Sequence, residues 1–217
     1  MTYIAHIQRL LCLTVCLFLW SCQPGEGDFR DVQNLASVGK DIISFGDSLT
    51  EGVGAGEGRS YPTLLSEGLG RPVINAGRSG DTAAAGLSRL DRDVLGRDPR
   101  LVLVLFGGND FLRRVPLERT MHDLEMMVKR IQERGAMVVL LGLKLGVFKD
   151  EYGPMYEDVA EKYGALLVPD VLAGVLSDPR LKSDAIHPNG AGYELMTERI
   201  LKKVKPLLLE ADLRISG

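Results

Sequence analysis

Two stretches, LVLVLF at 101–106 and MVVLLGL at 137–143, constrain this chain more than any other feature. Neither alternates apolar with polar residues. A strand with one face in water alternates; a strand covered on both faces does not. Both runs are therefore expected as central strands of a sheet buried on two sides. Shorter apolar runs at 41–45, 72–75 and 166–168 bring the strand candidates to five. Longer amphipathic segments lie between and after them, at 61–69, 81–95, 117–134, 154–163 and 189–208. In LERTMHDLEMMVKRIQERG the apolar positions recur at three and four, and Gly135 makes a natural stop. Strand–helix alternation calls for a parallel sheet between helix layers, an α/β fold. In such sheets functional groups gather beyond the carboxyl ends of the strands. The loops after Phe45, Asn75, Phe106 and Leu143 are thus where chemistry is expected.

The N-terminus obeys a different rule. Arg9 precedes an apolar run from Leu10 to Trp20, followed by Ser21-Cys22. A basic flank, a short apolar core and a small residue before the cut make an export signal. The run is shorter than the roughly 20 residues that span a bilayer. Leu19-Trp20-Ser21-Cys22 resembles the lipobox of bacterial lipoproteins, in which Cys22 would be lipidated and become the first mature residue. Trp20 departs from that pattern, and plain secretion or an uncleaved anchor is the alternative. Gln23 after the cysteine suggests outer-membrane sorting in a two-membraned cell. The organisation expected is a signal at 1–21, a polar tether at 22–38, one domain at 39–210 and a tail at 211–217. All three cysteines, Cys12, Cys16 and Cys22, fall in the signal or at its end, so the body has no disulfide, cysteine nucleophile or thiolate metal site. A formal net charge of -3 gives no reason to expect nucleic acid as a partner.

After the first strand comes FGDSLTEGVGAGEG, which raises two possibilities. Glycines after a strand often cradle phosphate, but Gly52, Gly54, Gly56 and Gly58 are spaced by two and fit neither G-x-G-x-x-G nor a P-loop. A serine after a strand can be a nucleophile if a base takes its proton. The body offers two histidines. His122 sits mid-helix among charges and reads as a solvated surface residue. His187 lies in LKSDAIHPNGAGY, where Pro188 disfavours helical geometry before it and Asn189 suits a helix cap. Asp184, three residues earlier, can reach Nδ1 and leave Nε2 facing outward, as a serine base requires. Gly46-Asp47-Ser48-Leu49-Thr50 departs from the G-x-S-x-G elbow of the α/β-hydrolases, because threonine replaces the second glycine. An acid and base only three residues apart also argue for another scaffold. For an oxyanion hole, Ser79-Gly80-Asp81 is expected to open a helix with free N–H groups, and Asn109 offers a neutral amide at a strand end.

Four ordered segments, FGDSLTEG, NAGRSGDTAAAGL, LFGGNDFL and SDAIHPNGAGY, resemble the SGNH hydrolases, also called GDSL esterases. They run from Asp41 to about Tyr193 and cover nearly the whole body. The resemblance implies a three-layer α/β/α sandwich with a five-stranded parallel sheet of flavodoxin-like type, in agreement with the strand count. By position it makes Ser48 the nucleophile, His187 the base and Asp184 the residue that orients the base. The oxyanion hole would be the Asn109 amide with the N–H groups of Gly80 and Ser48. No metal or cofactor is called for. SGDT, GGND and DAIHPN are most similar to a bacterial periplasmic branch acting as acyl-CoA thioesterase, lysophospholipase and arylesterase. Activity should rise with pH as His187 becomes neutral.

The expected substrate is an acyl ester or thioester, and membrane association would come through lipidated Cys22. Phe111 and Leu112 after Asn109, with Leu145, Val147 and Phe148 after the fourth strand, are candidates for an apolar acyl groove. Two other readings stand beside this one. One is a carbohydrate O-acetylesterase of the same family acting on envelope or extracellular glycans. The other is a non-catalytic envelope binding module that kept the fold; its mark would be a lost nucleophile, histidine or oxyanion residue, and none is lost. Export argues against a role on CoA esters, which are cytoplasmic.

Overall fold

A computed structural model describes residues 29–146 and 149–217. The signal, Cys22, the first part of the expected tether (residues 22–28), Val147 and Phe148 lie outside the described residues. Strands β1 (Asp41–Gly46), β2 (Val73–Gly77), β3 (Pro99–Leu105), β4 (Met137–Leu141) and β5 (Leu166–Val168) form one parallel sheet in the order β2-β1-β3-β4-β5. The two non-alternating runs occupy β3 and β4, inside the sheet, and every residue from Leu101 to Leu105 and from Met137 to Leu141 is fully buried. The edge strand β2 is only partly buried.

The connections are α1 (Ser48–Glu51), α2 (Tyr61–Leu69), α3 (Ala83–Leu90), α4 (Gly108–Leu112), α5 (Leu117–Glu133), α6 (Tyr152–Tyr163) and α7 (Gly190–Ser216). Helix α2 packs against α7, while α3 packs against α5 and α5 against α6, which gives two helix layers around the sheet. The order 2-1-3-4-5 puts the topological switch between β1 and β3, where doubly wound sheets open a crevice at their carboxyl ends. Gly46 pairs in register with Gly77 and with Leu105, so the loops after β1, β2 and β3 leave the sheet at one level.

Several boundaries differ from expectation. The segment expected as one helix from Asp81 starts at Ala83, because the Thr82 hydroxyl accepts from Ala85 N at 3.3 Å and caps it there. It ends as a π-helical turn at Asp91–Leu95. The last helix, expected to end at Leu208, runs through Pro206 to Ser216. Residues 211–216, set aside as a tail, are helical because Ala211 is buried and Asp212 accepts from Arg71 Nη2 at 2.5 Å and Arg100 Nη2 at 2.6 Å. Residues 29–38, expected as tether, are docked on the domain. Phe29 is buried, and Val32 and Leu35 pack on the core. The Asn34 amide donates to the carbonyls of Gln132 (2.8 Å) and Ala136 (3.0 Å), and Gln33 N donates to Gly164 O at 2.8 Å. These acceptors precede β4 and β5, so the segment straps the amino ends of the strands, opposite the crevice.

Candidate active site

Ser48 is the first residue of α1, directly beyond β1. Asp47 caps that helix, its Oδ1 accepting from Leu49 N at 3.0 Å. Gly46 admits no side chain: a Cβ would lie 2.6 Å from Leu105 O and closer still to Thr50 Oγ1. Thr50 therefore folds back beneath Gly46 and shares a hydrogen bond with Tyr61 OH at 2.9 Å. This is why threonine occupies the place of the elbow's second glycine. Gly77 is constrained likewise, since a Cβ there would stand 2.5 Å from Thr50 C.

The loop before α7 brings the other two residues. Ser183 N donates to His187 O at 2.9 Å and closes a tight loop. Within it, Asp184 Oδ1 accepts the N–H groups of Ile186 and His187, both at 2.8 Å. Asp184 Oδ2 lies 2.8 Å from His187 Nδ1, and His187 Nε2 lies 3.0 Å from Ser48 Oγ. The Ile186 N–H bond, then the His187 ring, hold the Asp184 carboxyl down at about 2. It is thus an anion that only accepts, so Nδ1 carries the hydrogen and the Nε2 lone pair faces the Ser48 hydroxyl. Asn189 caps α7, with Oδ1 accepting from Gly192 N at 3.1 Å, and fixes the loop to a rigid element. The glycine loop after α1 docks on the same region. Tyr193 OH donates to Val53 O at 3.0 Å, and Arg59 pairs with Glu194.

Asn109 lies in α4, beyond β3. Its amide Nδ2 donates to Asp81 O at 3.0 Å and to Asp47 Oδ2 at 3.3 Å, bridging the loops after β1 and β2. Gly80 does not open a helix as expected. It is the third residue of a turn closed by Asp81 N donating to Arg78 O at 3.2 Å, and its φ of 81° is the value a type II turn demands there. Gly80 O accepts from Arg113 Nη2 at 2.7 Å.

Of the expected groove residues, Phe111 stacks edge-on against Tyr152 at 5.8 Å. Phe111, Leu117, Leu145 and Tyr152 line a cavity of about 300 Å³ with Arg114 and Lys149 also on its wall. Leu112 is more than half exposed and lies outside that lining. A larger cleft, about 660 Å³, is lined by Asp31, Lys129, Glu133 and Lys162 near the strap and holds none of the expected site residues. His122 is exposed on α5.

Asp47 was missed as a site residue. It is 2% exposed, and burial pushes its carboxyl up to about 7 against the opposing Leu49 N–H bond, the His187 charge and the Asn109 amide. A raised folded pKa means that the contribution to stability is full below the ordinary 3.8 and is lost as pH rises through about 7. Asp47→Asn removes this dependence. Between about pH 4 and pH 8, chemical denaturation should shift the stability difference in favour of the variant by a few kcal/mol. A pH-independent difference would refute it.

A family model described as GDSL-like lipase/acylhydrolase matches residues 44–195. The chain belongs to this family. Among its relatives, Esterase TesA of Pseudomonas aeruginosa is 34% identical over 181 residues, covering 77% of this chain and 89% of that protein. Thioesterase 1/protease 1/lysophospholipase L1 of Escherichia coli K12 is 28% identical over 181 residues, covering 80% of this chain and 87% of that protein. The crystal structure of TesA matches with a TM-score of 0.73 at 31% identity, covering 77% of this chain and 99% of that one. As a GDSL/SGNH hydrolase with esterase relatives, the chain is a carboxylic ester hydrolase by class.

Proposed function

We propose that this hydrolase cleaves acyl esters or thioesters through a Ser48 acyl-enzyme, with His187 as base and Asp184 as the residue that orients it. The relay Asp184–His187–Ser48, at 2.8 and 3.0 Å, is the observation that carries the reading. Ser48 Oγ attacks the acyl carbonyl while His187 Nε2 takes its proton. The same proton passes to the departing alkoxide or thiolate. Water then gives a proton to Nε2, attacks the acyl-enzyme and frees the acid, and Ser48 regains its hydrogen. Negative charge on the carbonyl oxygen is met by the N–H groups of Ser48 and Gly80 and by the Asn109 amide, which releases its longer bond to Asp47 to do so. This chemistry is proposed to run at the cell envelope, to which the segment ending in Cys22 would direct the chain.

The cavity bounded by Phe111, Leu145 and Tyr152 supports an acyl chain as the recognised part. Each buried methylene contributes about 0.8 kcal/mol. On p-nitrophenyl esters, kcat/KM is therefore expected to rise about fourfold per methylene from acetyl through butyryl until the cavity is filled. An acetylated glycan assayed alongside represents the competing substrate. Turnover of acetyl groups alone would sink the acyl-chain reading.

A further inference from the structure

Arg89 carries a charge into the interior at a place the mechanism above does not use. Its side chain, on α3, is 6% exposed. Nε donates to Asp81 Oδ2 at 2.6 Å, Nη1 to Ala76 O at 3.0 Å and Asp93 Oδ2 at 2.8 Å, and Nη2 to Gly46 O at 2.9 Å. Cζ sits 4.4 Å above the Phe45 ring and 5.9 Å from that of Phe106, which fixes the plane of the guanidinium.

The acceptors identify what this cation does. Gly46 is the end of β1, two residues before Ser48. Ala76 is near the end of β2, four residues before Gly80. Asp81 follows Gly80, and its carbonyl accepts the Asn109 amide at 3.0 Å. One rigid fork thus touches the segments that carry the Ser48 and Gly80 N–H groups and, through Asp81, the Asn109 side chain. Charge neutrality alone would not need this arrangement, because packing the same volume with apolar groups is often as stable as a buried ion pair. The planar guanidinium adds fixed relative directions for several acceptors, which an ammonium cannot supply.

We propose that Arg89 is a positioning residue for the oxyanion hole. It locks the end of β1 to the Gly80–Asp81 turn so that the three donors converge on one oxygen. This rests on the serine-hydrolase reading above. Without it the sheet and relay persist, but the turn drifts, and misplacement of about 1 Å is enough to cost on the order of 10²-fold in rate.

The test is a kinetic series on p-nitrophenyl butyrate, each protein assayed well below its own Tm. Arg89→Met should lower kcat by roughly 10- to 10²-fold with KM nearly unchanged. Arg89→Lys should recover only part of that loss. In an Asn109→Ala background, Arg89→Met should cost less than it does in the wild type, because the part of its loss that runs through the Asn109 donor is already gone. Should Arg89→Met fail to fold, Asp81→Asn decides: it keeps the carbonyl and the side-chain shape but weakens the bond to Nε, and should lower kcat about severalfold. A folded Arg89→Met or Asp81→Asn with wild-type kcat overturns the proposal, as do losses that multiply in the double variant. Ser48→Ala separates the two levels. If it is inert while Arg89→Met is normal, only the positioning role fails; if it is active, the serine-hydrolase reading fails too.

Discussion

Replacing Ser48 with alanine is expected to lower kcat/KM on p-nitrophenyl butyrate by at least about 10⁴-fold. The size of the effect follows from what remains. Ser48 Oγ is the hydroxyl facing His187 Nε2 at 3.0 Å, and neighbouring hydroxyls are engaged elsewhere. Thr50 Oγ1 is tied to Tyr61 OH, and Ser183 Oγ donates to His187 O at 3.3 Å. Neither can take over the attack. The variant keeps the oxyanion donors, so some rate above water should survive. Ser48→Ala opens no large cavity, because the residue is small and Asp47 still caps α1 through Leu49 N. Its Tm should therefore stay near the wild-type value. His187→Ala should be similarly impaired, and the double variant no worse than either single one, as expected of groups that act as a unit. Fluorophosphonate labelling should disappear with Ser48. A wild-type rate, or undiminished labelling, in Ser48→Ala would end the assignment.

What the sequence disclosed and what it hid differ in range along the chain. Central strands were legible because burial on both faces writes an unbroken apolar run, as at Leu101–Leu105. The edges of elements were less so. Helix α7 outlasts its expected end because Asp212 meets Arg71 and Arg100, residues 141 and 112 positions away, and no local pattern records that. The strap at 29–38 reads as polar linker, yet Phe29, Val32 and Leu35 are enough to dock it. In the candidate site, the three residues that the structure brings within hydrogen-bond reach, Ser48, Asp184 and His187, were legible because a serine after a strand and a histidine three residues from a carboxylate ahead of a helix are local patterns. Asp47 and Arg89 were not, although Asp47 lies inside FGDSLTEG and Arg89 only two residues beyond NAGRSGDTAAAGL. A charged residue on a helix is ordinarily a solvated one. Only the fold shows that Arg89 shares its buried face with Gly86, against whose Cα the Phe106 ring is packed so closely that a Cβ would stand 2.5 Å from it. Asp47 is a standard cap, a carboxylate just before a helix. A helix as short as α1, four residues, leaves no apolar period in the sequence, so nothing local marks Asp47 as its cap.

Asn109→Ala is expected to lower kcat by about 10²–10³-fold while KM changes little. An oxyanion exists only in the transition state and the tetrahedral intermediate, so a donor to it contributes nothing to ground-state binding. The structure gives Asn109 a second task, which the same experiment resolves. Its Nδ2 bridges Asp81 O at 3.0 Å and Asp47 Oδ2 at 3.3 Å, so the amide also holds two loops together. Losing the bridge should cost about 1 kcal/mol of stability, read as a modest drop in Tm. The two tasks separate on different axes. Loss of the bridge alone lowers Tm and leaves kcat intact when assayed in the cold; loss of the donor lowers kcat at every temperature where the protein is folded. Asn109→Asp sharpens the distinction. It places an acceptor, and at neutral pH a charge, where the oxyanion forms, so its kcat should fall at least as far as that of the alanine variant. It also sets a second carboxyl beside Asp47, which burial already drives toward its neutral form, up to about 7. Like charges that close are expected to raise one pKa of the pair further, leaving Asn109→Asp least impaired at low pH. A kcat near wild type in Asn109→Ala, with only Tm reduced, would leave the hole to the backbone N–H groups of Ser48 and Gly80.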